Sequence, residues 1–184
     1  MDTTTLKREV RRAAAGDERA AALLFDHFHP RVFRYALGRV RDRAAAEDVA
    51  AETFAKVLGE LGRFKWRGAG FEAWLFRIAS NLVVDHFRKT GREQASDDVA
   101  GRLDATEERT PEVAALAAET TTELSAMLDE LAPDQREVLL LRFAGGLEPA
   151  EVGAVMGRNA NAVRQLQFRA LANLRRRMQQ GVST

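Results

Sequence analysis

Residues able to do chemistry are concentrated in one stretch. From Phe64 to Lys89 the chain reads FKWRGAGFEAWLFRIASNLVVDHFRK. Six rings (Phe64, Trp66, Phe71, Trp74, Phe76, Phe87) are interleaved with cations (Lys65, Arg67, Arg77, Arg88, Lys89). Leu61 to Lys89 holds six Lys and Arg against two acids, Glu72 and Asp85. Aromatic faces stack on unpaired bases and cations neutralise phosphates, which is what single-stranded nucleic acid requires of a surface. The same rings at helical spacing also suit a hydrophobic core, and periodicity alone divides them about evenly between the two roles.

Other chemistries find little support. There is no cysteine, so neither a disulfide framework nor a thiolate metal site is available. His27 and His29 flank Phe28, but residues two apart do not share a helix face, so they make a poor metal pair. There is no Gly-rich phosphate loop and no nucleophile motif. The sequence points away from an enzyme and calls for no cofactor.

The elements that must position these residues are all helical in pattern. Alanine is abundant and β-branched alternation is lacking, which favours an all-α chain. Leu6 to Ala15 reads as a first helix, ended at Gly16-Asp17, with Asp17 capping the next. In Ala20 to Val40, Leu23, Leu24, Phe28, Val32, Phe33 and Leu37 recur at three- and four-residue steps. Pro30 lies inside that pattern and predicts a kink or break. Ala44 to Leu61 is a third helix with Val49, Phe54, Val57, Leu58 and Leu61 as its stripe. Its early acids, Glu47, Asp48 and Glu52, either complement the helix dipole or dock a partner. An irregular loop from Phe64 to Gly70 leads to a helix from Phe71 to Arg88, with Trp74, Leu75, Ile78, Leu82 and Val83 inward. Asn81 and Asp85 share one of its faces.

Thr90 to Arg109 has no apolar period and reads as a flexible acidic connector. Thr110-Pro111 opens a helix running to about Leu131. Asp134 is placed to cap a helix from Gln135 to Phe143, and Gly145-Gly146 makes a turn. Pro149 to Met156, Gly157 and Ala160 to about Met178 then read as helix-turn-helix, with Asn159 as the second helix's cap. Val163, Leu166, Leu171 and Leu174 face inward; Arg164, Gln165, Phe168 and Arg169 face outward or lie at the boundary. A helix presenting Arg and Gln from its early turns suits the major groove, where Arg pairs with guanine and Gln with adenine.

Charge is segregated along the chain. The 184 residues carry a net charge of +1. Residues 6–90 carry 17 Lys and Arg against 11 acids, residues 91–119 three against eight, and residues 131–184 eight against four. Two basic modules flanking an acidic connector suggest a polyanion partner for both ends. No apolar run approaches the roughly 20 residues needed to span a bilayer, and the N-terminus lacks a secretory h-region. A soluble, cytoplasmic protein without membrane insertion is expected.

With these motifs in order, the chain resembles the sigma-70 family, in particular the extracytoplasmic-function sigma factors of bacteria. RDRAAAEDVAAETFAKVL (Arg41 to Leu58) is similar to the helix that docks on the polymerase clamp. Phe64 to Lys89 is similar to the segment that opens and reads the −10 element, and Leu128 to Arg177 to the domain that reads the −35 element. The resemblance implies two small helical domains, residues 1–90 and 111–184, joined by the acidic linker 91–110. It implies core RNA polymerase, promoter DNA and an anti-sigma factor as partners. Asp48, Glu52 and Phe54 match positions of the clamp-binding helix. Phe64, Arg67, Phe71, Asn81, Asp85, Arg88 and Lys89 fall to −10 DNA, and Trp74 matches the same segment. Asn159, Arg164, Gln165, Phe168 and Arg169 fall to −35 DNA. Ala51 stands where the family often has Gln, and Leu166-Gln167-Phe168 replaces the commoner Arg-Leu-His run.

Flipping a base costs a few kcal/mol, and stacking it on an aromatic side chain returns about 1–3 kcal/mol. Opening should therefore need polymerase contacts as well. The free chain is expected to bind promoter DNA weakly in a gel-shift assay. Tight sequence-specific binding by the chain alone would point instead to an autonomous helix-turn-helix regulator.

Overall fold

The computed structural model describes residues 1–91 and 125–181, with side chains up to residue 179. All regular elements among them are helical. In the first part α1 is Thr3–Ala14, α2 Glu18–Val40, α3 Arg43–Glu60 and α4 Gly70–Thr90, with a 3₁₀ turn at Leu61–Arg63. In the second, α5 is Pro133–Leu139 and widens into a π turn over Leu140–Ala144. Then come α6, Pro149–Met156, and α7, Ala160–Gly181. The connector and most of the helix expected from Pro111 lie outside the described residues; 125–129 are helical.

Short polar residues set the helix starts. Asp17 caps α2 by accepting from the Arg19 and Ala20 amides at 3.0 and 3.1 Å. Asp42 caps α3 through the Ala45 amide at 2.7 Å. Asp2 caps α1, and the Thr5 hydroxyl together with backbone amides holds its carboxyl at about 2, so the cap stays ionised at neutral pH. Replacing such a cap by Ala costs about 1 kcal/mol.

Two local expectations are corrected. Of the kink or break expected at Pro30, the break does not occur: α2 runs on through it. Pro30 is exposed, so the carbonyl left without its amide partner faces water rather than the core. Asp134 does not cap α5. That helix starts two residues earlier than expected, at Pro133, whose fixed φ suits the first helical position. The Asp134 carboxylate pairs instead with Arg158.

Leu24, Phe28, Val32 and Tyr35 of α2 meet Phe54 and Val57 of α3 and Phe71, Leu75 and Phe76 of α4 in a closed apolar interior. The same cluster continues into the second half through Val138, Leu141, Leu147, Val152 and Val163. Leu58 and Leu171, expected inside, are 46% and 39% exposed.

One face of α2 carries the seam between the halves, with polar groups spaced four residues apart. Arg31 donates to the Gly145 carbonyl at 2.7 Å and to Glu72 at 2.5 Å. The buried Tyr35 hydroxyl donates to Glu137 at 2.6 Å, and Arg39 donates to the other oxygen of the same carboxylate. Arg41, in the left-handed region at φ 59°, reaches Asp129 at 2.8 Å. Between them Gly38 lets Leu140 approach; a methyl group there would lie 2.5 Å from the Leu140 Cδ2.

Glu137→Ala would leave the Arg39 guanidinium and the Tyr35 hydroxyl without their acceptor. A loss of about 3 kcal/mol is expected in urea unfolding. Tyr35→Phe, which spares the ion pair, should cost only about 1 kcal/mol.

Candidate nucleic-acid interface

The loop between α3 and α4 is built around Phe64. Leu61, 2% exposed, anchors the 3₁₀ turn, and the Phe64 amide donates back to its carbonyl at 3.1 Å. The Phe64 ring then meets Trp74 at 4.8 Å, Trp66 at 5.3 Å edge-on and Phe71 at 5.6 Å edge-on. Phe71 rests on Phe28 at 5.5 Å. Edge-to-face and tilted pairs of this kind contribute beyond their buried area. Gly70 starts α4 at φ 81°, and the Trp66 ring lies against it, 3.6 Å from where a Cβ would sit. Lys7 of α1 places its ammonium over the Trp66 ring, 5.5 Å from its centre. α1 thus buttresses the loop, a role that the sequence did not signal.

The loop and the first turns of α4 enclose a cleft of about 270 Å³. Phe64 and Trp74 give it aromatic walls; Arg63, Lys65, Arg67 and Arg77 give it four cations. Trp74 is only half-buried, so it belongs to the cleft as well as to the core for which it was expected. Phe71 is 1% exposed and cannot offer a face to a ligand; it is the floor under Phe64. Across the mouth, Ala154 of α6 completes the rim, and Arg77 donates to its carbonyl.

Beyond the cleft, Asn81, Arg88 and Lys89 are exposed on α4, and Asp85 is half-buried, 3.4 Å from Arg88. The surface pair contributes little, so these groups remain available to a ligand. The histidines are engaged with rings: His29 stacks on Phe25 at 4.6 Å and His27 meets Phe28 edge-on at 4.8 Å. Burial, with the positively charged N-terminus next, lowers the His27 pKa.

α3 presents Asp48 and Glu52 to solvent, the latter 3.2 Å from Lys56. Phe54 is turned the other way, 4% exposed and 4.8 Å from Phe25. It holds the helix in place and offers nothing to a partner. The apolar groups that do reach the surface here are Leu23, Phe25 and Leu58. Sequence periodicity put two of these inside, because it counts apolar residues and not the neighbours available to cover them.

In the second half Gly157 makes the turn and the Asn159 side-chain Oδ1 accepts from the Ala162 amide at 2.8 Å, so Asn159 is a cap first. Arg164, Gln165, Phe168 and Arg169 are exposed along α7. Gln167 is drawn inward and accepts from Arg142 at 3.2 Å. On α6 the Glu151 side chain accepts from the Glu148 amide at 2.6 Å. Burial, opposed by that bond and reinforced by nearby Glu72, raises the Glu151 pKa.

Residues 24–93 match the family model for sigma-70 region 2, and residues 121–174 the model for sigma-70 region 4. The chain is 40% identical over 176 residues to the ECF RNA polymerase sigma factor BldN of Streptomyces coelicolor, covering 95% of this chain and 66% of that protein. It is 35% identical to the ECF sigma factor SigD of Mycobacterium tuberculosis, covering 95% and 84%. To ShbA of Streptomyces griseus it is 36% identical, covering 95% of each. Among solved structures, CnrH in complex with the cytosolic domain of CnrY has the same fold, with a TM-score of 0.71 at 24% identity, covering 95% and 97%.

Trp66 and Trp74 are the chain's two tryptophans, so its indole emission reports on this cleft. Gly70→Val would force a branched residue into the left-handed region at a cost of about 1–2 kcal/mol and displace Trp66. A red-shifted emission and a lower urea midpoint are expected.

Proposed function

This chain belongs to the ECF RNA polymerase sigma factors of the sigma-70 family, and on that premise we propose that it joins core polymerase and directs initiation at promoters whose −10 element it opens and whose −35 element it reads. It acts as an initiation factor in the cytoplasm, with no chemistry of its own. The observation that carries this reading is the cleft beside Phe64, with aromatic walls, a cationic rim and a volume of about 270 Å³. An unpaired base needs a stacking face within and cations for its phosphates, and both are present in one place.

Each part takes a role in this reading. Residues 1–90 hold the −10 and polymerase functions, 111–184 the −35 function, and 91–110 connect them. Asp48 and Glu52, with the apolar Leu58, dock on polymerase. Phe64 and Trp74 receive the flipped base, and Arg67 meets its phosphate. Asn81, Arg88 and Lys89 hold the strand beside it, and Asp85 orients Arg88. Arg164, Gln165, Phe168 and Arg169 enter the −35 major groove, where early-turn side chains of a recognition helix reach base edges. An anti-sigma factor is a further partner; the RpoE sigma factor of Bartonella quintana, of the same fold, was solved with the anti-sigma factor NepR.

Run-off transcription with core polymerase and a promoter library is the test: promoter-specific transcripts are expected, and their absence would refute the proposal. Arg67→Ala with Asn81→Ala should abolish opening, read by permanganate reactivity of −10 thymines, and leave polymerase binding intact. Loss of both together would make the stretch structural.

A further inference from the structure

The outward face of α7 carries one group that ordinary phosphate contact does not explain. Phe168 is 74% exposed, the most exposed of the large apolar side chains in the described residues. It is set among polar neighbours: Arg164 one turn before it, Gln165 three residues before it and Arg169 next to it, all exposed. Residues three and four apart lie on one helix face, so Arg164, Gln165 and Phe168 point the same way. The two side chains between them are withdrawn. Leu166 packs against the core, and Gln167 accepts from Arg142 at 3.2 Å. The phenyl ring therefore stands exposed on the same face as an arginine and a glutamine.

A cationic face selects a polyanion, and the ring must then find an apolar group within that polyanion. On the floor of the duplex major groove there is one such group in unmodified DNA, the C5 methyl of thymine. We propose that Phe168 is a specificity-determining residue that reads a thymine of the −35 duplex by closing on its methyl group, beside the base edges taken by Arg164 and Gln165. This rests on the proposed function of the second half as a −35 reader, and adds to it the identity of one base.

The test is atomic. A promoter selected by run-off transcription is rebuilt with each −35 thymine, on either strand, replaced singly by deoxyuridine, which removes the methyl and leaves pairing unchanged. Holoenzyme with the unaltered chain should bind about fourfold more weakly at one such position, the effect of losing one buried methyl-sized group. Holoenzyme with Phe168→Ala should bind more weakly overall and show no further loss at that position. Phe168→Leu should keep the sensitivity, because the apolar contact survives. The proposal is overturned if no deoxyuridine weakens the unaltered holoenzyme, or if Phe168→Ala suffers the same penalty. It is equally overturned if the −35 element holds no thymine, or if Phe168→Ala impairs polymerase binding and not DNA binding. A holoenzyme that transcribes but ignores deoxyuridine refutes this inference alone; one that transcribes nothing refutes the function beneath it.

Discussion

The Glu137 carboxylate is the constraint on which the architecture depends. It is 9% exposed and lies in the seam between α2 and α5. A carboxylate there is tolerable only because Tyr35 and Arg39 both donate to it; a buried charge without such partners would cost several kcal/mol. Satisfying it fixes the register of α5 against α2. Arg31 on the Gly145 carbonyl, four residues before Tyr35, and Arg41 on Asp129, two residues after Arg39, then fall into place on either side. An apolar seam would slide more easily, whereas these directional bonds are met in one arrangement.

The aromatic loop depends on the same frame. Arg31, which ties the π turn to α2, also holds Glu72 and lies 5.0 Å from the Phe28 ring. Phe28 supports Phe71, and Phe71 supports Phe64. The cleft is thus the outer end of a stack of rings whose inner end is fixed by the inter-half seam. The rings at the base are core, and those at the mouth are half-exposed. The even division that periodicity gave for this stretch was a physical fact about a stack with two ends.

Features decided by a few neighbouring residues were legible in the sequence: the caps at Asp17 and Asn159, the turn at Gly157 and the all-helical pattern. So was the outward set on α7, because a 3.6-residue period separates it from Val163. Tertiary contact decided the rest. Phe54 and Phe71 carry the right chemistry for partners, but Phe25 and Phe28 cover them. Pro30 could stay inside a helix because its face meets solvent, which depends on what packs around α2. Tyr35 and Glu137 are 102 positions apart, and no local pattern joins them.

Ala154 on the rim of the cleft has a consequence for reach. Elements centred near −35 and −10 lie about 25 base steps apart, roughly 85 Å of duplex at about 3.4 Å per step. The two halves proposed as the readers are in contact, with Arg77 bonded to the Ala154 carbonyl. A conformer of this shape can occupy one element at a time. Whatever engages both must draw from the fraction of molecules in which the seam has parted, and its apparent affinity is discounted by that fraction. The bonds around Glu137 therefore set a threshold for assembly: strengthening them would make the free chain more durable and less ready to be used.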